Sequence, residues 1–176
     1  MKASKNMRVY HKEVLQGEEI KLKKEPWIRE KYREDHLNFL NKILTPSSEV
    51  VEFGSGGSSL YIAKRVKNLM VYEDDKFWYK MLLEEIAEED LTNITHYLDP
   101  SYSKDFSNVE PYFDIAIVDV WNQPGFGKCL KNAIGCLRSG GILILKHSRG
   151  SSDKLTEEGW IILKKWRRWK IALRKP

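Results

Sequence analysis

The chain has 176 residues, of which 41% are apolar and 31% charged, with a formal net charge of +5. That length suits one domain with a sizeable core, and no apolar run reaches the ~18 residues that a membrane-spanning helix needs. The opening MKASKNMRVYHKE lacks the apolar middle of a secretory signal, so a cytoplasmic protein is expected.

Residues 1–26 are polar and weakly periodic and end at Pro26; they read as a partly ordered arm with a short helix, either a lid or a dimer contact. Apolar residues at helical spacing from Trp27 to Leu44 predict a helix, which Thr45-Pro46-Ser47 stops. Residues 1–45 thus form an arm and helix ahead of an α/β domain over 46–176, in one compact unit. Glu49–Phe53 is a strand, Ser58–Val66 a helix, Leu69–Tyr72 a strand and Asp75–Glu89 a helix with an apolar face. Ile94–Leu98 is a third strand, followed by a short crossover from Asp99 to Pro111. The near-continuous apolar run Phe113–Val120 suits a strand covered on both faces. Phe126–Leu137 is a helix ended by Ser139-Gly140-Gly141, then come a strand at Ile142–Lys146 and a short helix at Lys154–Glu158. A terminal strand pair, Trp160–Trp166 and Trp169–Leu173, flanks Arg167-Arg168. Strands alternating with helices specify a doubly wound α/β sheet.

Residues 1–50 carry 11 basic and 8 acidic side chains, residues 51–153 carry 11 and 15, and residues 154–176 carry 8 and 2. The basic ends offer a footprint for a polyanion such as nucleic acid, with solubility as the competing explanation. Trp160, Trp166 and Trp169, interleaved with Lys164, Lys165, Arg167 and Arg168, could stack bases; packing on the sheet is the preferred reading. Cys129 and Cys136, seven apart on one helix, are too far apart for a disulfide and read as reduced core residues. No histidine–cysteine pattern supports a metal site.

The segment VVEFGSGGSSL, Val50 to Leu60, carries the functional signal. A β-branched strand leads through an acid into a small-residue loop that opens a helix. Glycines there let the main chain turn tightly and approach a ligand. In doubly wound sheets ligands bind beyond the carboxyl ends of the strands. The Gly54 loop, Glu73-Asp74, Asp99 and Asp119 all fall at such ends. Glu73, 19 residues after Gly54, can accept both ribose hydroxyls of an adenine nucleoside. Alone, these acids would read as a helix start with Asp74 or Asp75 as N-cap. Asp99 either receives an adenine amine or holds the turn before Pro100. Glu52 orients the loop, attracts a cation, or makes a structural hydrogen bond.

Residues 49–146 resemble class I S-adenosylmethionine-dependent methyltransferases in motif order: VVEFGSGGSS, VYEDDKFWY, ITHYLDP, FDIAIVDV and CLRSGGILILKHS. Within that family the chain is most similar to small members with a GSGGS loop. The resemblance implies a Rossmann-like, mainly parallel seven-stranded sheet of order 3-2-1-4-5-7-6 with helices on both faces, and S-adenosyl-L-methionine as cofactor. It places Gly54, Ser55 and Gly56, with Glu52, at the cofactor loop, Glu73 on the ribose, Asp74 beside the adenine, Leu98 and Asp99 at the adenine amine, and Asp119 beside the methionine part and the substrate. One departure is Ser58, where the family's loop has its third glycine.

Methyl transfer from a sulfonium is an in-line displacement, so alignment and a deprotonated nucleophile supply most of the rate. Asp119 and His147 are the candidate catalytic residues, and Lys146 is ambiguous. The fourth strand ends Asp119-Val120-Trp121-Asn122-Gln123-Pro124, without the paired prolines of amino-methylating nucleic-acid enzymes. Lys146-His147 stands where metal-dependent catechol-type enzymes have Asp-Asn, so no catalytic metal is expected. The expectation is a monomeric or homodimeric methyltransferase with an unidentified acceptor and no membrane partner. The alternatives are a nicotinamide-dependent oxidoreductase, whose fingerprint would want glycine at Ser59, and a non-catalytic nucleic-acid- or partner-binding domain of the same fold.

Overall fold

The β-branched pair Val50-Val51 seeds the central strand, β1 (Glu49–Phe53), in which every side chain is buried. A computed structural model describes residues 30–106, 108–120, 123–146, 151–166 and 171–176, and their side chains except those of 30–34, 123 and 124. The arm, Trp121-Asn122, His147 and the Arg167-Arg168-Trp169 cluster lie outside the described residues. In chain order the elements are α1 (Glu30–Ile43), β1, α2 (Gly57–Ala63), β2 (Asn68–Glu73), α3 (Lys76–Glu88), β3 (Ile94–Leu98), β4 (Phe113–Val118), α4 (Gln123–Cys136), β5 (Leu137–Leu145), α5 (Ser151–Glu157), β6 (Ile161–Lys165) and β7 (Ile171–Arg174). The strands form one seven-stranded sheet in the order β3-β2-β1-β4-β5-β7-β6, as the resemblance implied. The first five strands run parallel, and β7 is antiparallel to both β5 and β6.

Period-two alternation sends side chains to two cores. Val51, Phe53, Ala116, Val118, Leu143 and Leu145 face one side, covered by Cys129, Ala133 and Cys136 of α4 and by Leu155 of α5. Val50, Val71, Ile115, Ile117 and Ile144 face the other, covered by Leu40 of α1, Leu60 and Ile62 of α2, and Leu82 of α3. Both cysteines are free and buried, and burial pushes the Cys136 thiol up to about 12. Trp160 lies in the first core, and Trp166 packs edge-on to His36 and Phe39 of α1 at 5.3 and 5.1 Å. Packing thus accounts for both of these tryptophans, while Lys164 pairs with Asp35 of α1. Among the described residues no helix is long and apolar enough to cross a membrane.

Two local expectations change. Ser139-Gly140-Gly141 is no break between helix and strand: β5 follows α4 directly, and the glycines form an irregularity within it, with Gly140 at φ +75°. A Cβ on Gly141 would sit 2.8 Å from both the Arg138 carbonyl oxygen and the Leu137 side chain, so this close packing requires glycine. The helix before it starts at Gln123 rather than Phe126, because a proline in the first turn loses no helical hydrogen bond. The segment after β3 fills its place on the sheet without a described helix. Tyr102 and Phe106 drop into the first core, and Phe106 packs edge-on to Phe53 and Tyr72 at 6.2 and 5.7 Å.

One buried polar group is at odds with its surroundings. His96 on β3 lies beside Val71 of β2 and 4.5 Å from the Tyr79 ring, and neither imidazole nitrogen has a hydrogen-bond partner among the described residues. Burial pushes its pKa down to about 4. A depressed histidine contributes stability that is complete above its ordinary value of 6.5 and is lost as pH falls towards about 4. His96→Leu is therefore expected to stabilise the protein by roughly 1–2 kcal/mol at pH 5 and to flatten the acid side of its stability profile. Urea titrations at pH 7.5 and 5 check this; an unchanged difference between the two pH values would refute it.

Candidate functional site at the carboxyl edge of the sheet

Strand register aligns the ends of β1 to β5. Phe53 of β1 pairs with Tyr72 of β2 and Val118 of β4, Glu73 pairs with Leu98 of β3, and Val118 pairs with Leu145 of β5. Each strand then gives one more backbone hydrogen bond to its neighbour. The Gly54 amide donates to the Tyr72 carbonyl (2.8 Å), that of Asp99 to Glu73 (2.8 Å), that of Asp119 to Phe53 (2.8 Å) and that of Lys146 to Val118 (3.0 Å). The chemistry-bearing residues therefore lie along one edge on a rigid backbone.

The loop leaving β1 has no freedom at its first position. Gly54 has φ +89°, and a Cβ there would lie 2.5 Å from the Asp119 backbone oxygen. Gly56 differs: its backbone is extended, and a Cβ would meet nothing within 4 Å. Open space thus faces the second loop glycine.

Glu52 is fully buried beneath the loop. It accepts hydrogen bonds from the hydroxyls of Ser58 (2.8 Å) and Ser59 (2.6 Å), and the Ser59 hydroxyl in turn accepts the Gly56 amide (3.2 Å). The departure at Ser58 is explained here, since its side chain turns inward to the acid. Burial holds the Glu52 carboxyl above its ordinary value, against the pull of Lys146 and the two hydroxyls. Lys146, only 8% exposed, donates to Asp119 (2.7 Å) and to Ser58 (3.2 Å). An acid, two serines, a lysine and a second acid thus link β1, α2, β4 and β5. Period two puts Glu52 and Lys146 on the same side of the sheet as Ile117 and Ile144.

Glu73 is 4% exposed. One carboxylate oxygen accepts both the Ser55 amide and the Ser55 hydroxyl, each at 2.6 Å, and the other accepts the Asp75 amide at 2.9 Å. Burial pushes this carboxyl up to about 7; the Asp74 charge adds to the rise, and the Ser55 and Asp75 donors oppose it. Asp75 caps α3, accepting from the amides of Phe77 and Trp78, so the N-cap role falls to Asp75 and Glu73 remains beside the loop.

Asp74 accepts the Tyr102 hydroxyl at 3.0 Å, tying the end of β2 to the segment after β3. Asp99 is engaged by its own turn: it accepts the Ser103 amide (2.8 Å) and hydroxyl (2.9 Å) and the Lys104 amide (3.0 Å). Burial raises its carboxyl, but these turn donors outweigh it and hold it below the ordinary value. Leu98 is half-exposed beside it. Sequence reasoning missed Tyr102 and the roles of Ser58 and Ser59. The available signal was a serine pair in the first turn of the helix that follows Glu52 on a buried strand. Among the described residues no group of three or more metal-ligating side chains converges.

No family model and no curated protein sequence matches the chain. Solved structures do. An rRNA methylase from Streptococcus thermophilus superposes with a TM-score of 0.62 at 16% identity, over 84% of this chain and 98% of that one. The N-methyltransferase NodS from Bradyrhizobium japonicum, in complex with S-adenosyl-L-homocysteine, gives 0.65 at 14% identity over 96% and 97%. The tRNA methyltransferase TrmI from Aquifex aeolicus gives 0.60 at 18% identity over 81% and 68%. The chain has the methyltransferase fold. On this methyltransferase sheet Glu52, Gly54, Ser55, Gly56, Glu73, Asp74, Leu98, Asp99 and Asp119 share the carboxyl edge of β1 to β4.

Proposed function

We propose that the chain is an S-adenosyl-L-methionine-dependent methyltransferase whose cofactor lies across the carboxyl ends of β1, β2 and β3. The observation that carries this reading is the loop Gly54-Ser55-Gly56 set against a buried Glu73, with open space at Gly56 where a side chain would otherwise stand. The fold shared with methyltransferases, one of them solved with S-adenosyl-L-homocysteine, supports it. Glu73 accepts ribose hydroxyls, Gly54 to Gly56 pass beneath the amino-acid part, and Asp74 and Leu98 border the adenine. Asp99 holds the wall of that pocket, its carboxylate bonding its own turn rather than the adenine amine. The cofactor supplies an activated methyl on a sulfonium. Asp119, held by Lys146, faces the acceptor side and positions the incoming nucleophile; His147, the residue after Lys146, is a second candidate base.

Calorimetry with S-adenosyl-L-homocysteine tests this. Glu73→Ala is expected to weaken binding at least about tenfold, the loss of one charge-assisted hydrogen bond. The ionised carboxylate is the better acceptor, so wild-type affinity should also fall as pH drops below about 7. Glu73→Gln should remove that pH dependence. No binding by the wild type, or undiminished binding by a folded Glu73→Ala, would overturn the reading.

A further inference from the structure

Glu73 has almost no spare acceptor capacity. A carboxylate offers about four lone-pair positions, and Ser55 and Asp75 fill three of them. A ligand with two vicinal hydroxyls cannot be accepted in bidentate fashion until one of these donors leaves. The Asp75 amide is fixed by the first turn of α3, where the Asp75 side chain caps the helix. The Ser55 amide follows Gly54, which is clamped by its hydrogen bond to Tyr72 and its packing on Asp119. Only the Ser55 hydroxyl can leave by a simple side-chain rotation.

We propose that the Ser55 hydroxyl is a built-in surrogate for a ribose hydroxyl: it satisfies Glu73 in the free protein and is displaced by the nucleoside's vicinal diol. This rests on the cofactor reading above and names a residue that sets affinity for that ligand. A buried carboxylate short of donors is costly, so the surrogate stabilises the free state and competes with the ligand for the same oxygen. The Ser55 amide stays on Glu73 in both states and keeps the acid aligned.

The test is a double-mutant cycle of Ser55→Ala and Glu73→Ala, read by calorimetry with S-adenosyl-L-homocysteine, adenosine and 2′,3′-dideoxyadenosine. Ser55→Ala is expected to bind S-adenosyl-L-homocysteine and adenosine about 5- to 10-fold more tightly than wild type, the size of one net hydrogen bond. That gain should vanish with the dideoxy nucleoside and in the Glu73→Ala background. Unchanged or weaker binding by Ser55→Ala, or an equal gain with the dideoxy nucleoside, overturns the surrogate role while leaving the cofactor reading in place. Absence of wild-type binding, or Glu73→Ala binding like wild type, overturns the cofactor reading itself and the surrogate with it. Ser55→Thr, which keeps the hydroxyl, should retain wild-type affinity; a gain like that of alanine counts against the proposal.

Discussion

Gly54→Ala is expected to lower the melting temperature by roughly 5–15 °C and to abolish binding of S-adenosyl-L-homocysteine, because two penalties act at one atom. The residue sits at φ +89°, which costs an L-amino acid about 1–3 kcal/mol. The added Cβ would also stand 2.5 Å from the Asp119 backbone oxygen, where nothing flexible can yield. Relief requires β1 and β4 to part at the point where the Asp119 amide bonds the Phe53 carbonyl. Gly56→Ala is the matched control. Its extended backbone suits any residue and its Cβ meets open space, so stability should change by less than about 1 kcal/mol. Ligand affinity should nevertheless drop, since that space is where the proposed cofactor passes. Thermal unfolding and calorimetry on the two variants separate the roles. A Gly54→Ala protein as stable as wild type would contradict the loop geometry.

Glu52→Ala is expected to cost about 2–4 kcal/mol, seen as a melting temperature lower by roughly 4–16 °C, whereas Glu52→Gln should stay within about 1 kcal/mol of wild type. Alanine leaves the fully buried Ser59 hydroxyl and the half-buried Ser58 hydroxyl without their acceptor and opens a cavity under the loop. Glutamine keeps the shape, and each serine can reverse its hydroxyl to suit an amide oxygen or nitrogen. The pH profile distinguishes them further. A buried acid with a raised pKa contributes stability that is complete below its ordinary value of 4.5 and is lost as pH rises through its folded value. Glu52→Gln should therefore lose less stability than wild type between acid and neutral pH. An alanine variant indistinguishable from glutamine in thermal unfolding would show that the serine network contributes nothing.

Local sequence signals located the strand ends well. Apolar runs such as Phe113 to Val118 mark strands buried on both faces, and Asp75 before an amphipathic stretch marks a helix start. The terminal strand pair was legible as two short runs flanking Arg167-Arg168, and its place beside β5 followed the resemblance. Ser139-Gly140-Gly141 misled because glycine punctuates turns and irregular strands alike; only the pairing with β4, at Leu137 and again from Ile142 across a register shift, shows that one strand flanks it on both sides. The short crossover after β3 was expected, but not that Tyr102 and Phe106 within it would cover the sheet, since they carry no periodicity and reach the core as single residues.

What the sequence by itself determined is the order of strands and helices, the glycine loop and the acids at successive strand ends, because each depends on residues near one another in the chain. The tertiary structure decided what those acids do. Glu52 is tied to the hydroxyls of Ser58 and Ser59 under the loop, and Glu73 to the Ser55 amide and hydroxyl and the Asp75 amide. Asp99, on equal footing with them in the sequence, is consumed by its own turn. Lys146 meets Asp119 only because β4 and β5 lie side by side. Hydrogen-bond partners and burial depend on residues brought together across the sheet, and no spacing along the chain encodes them.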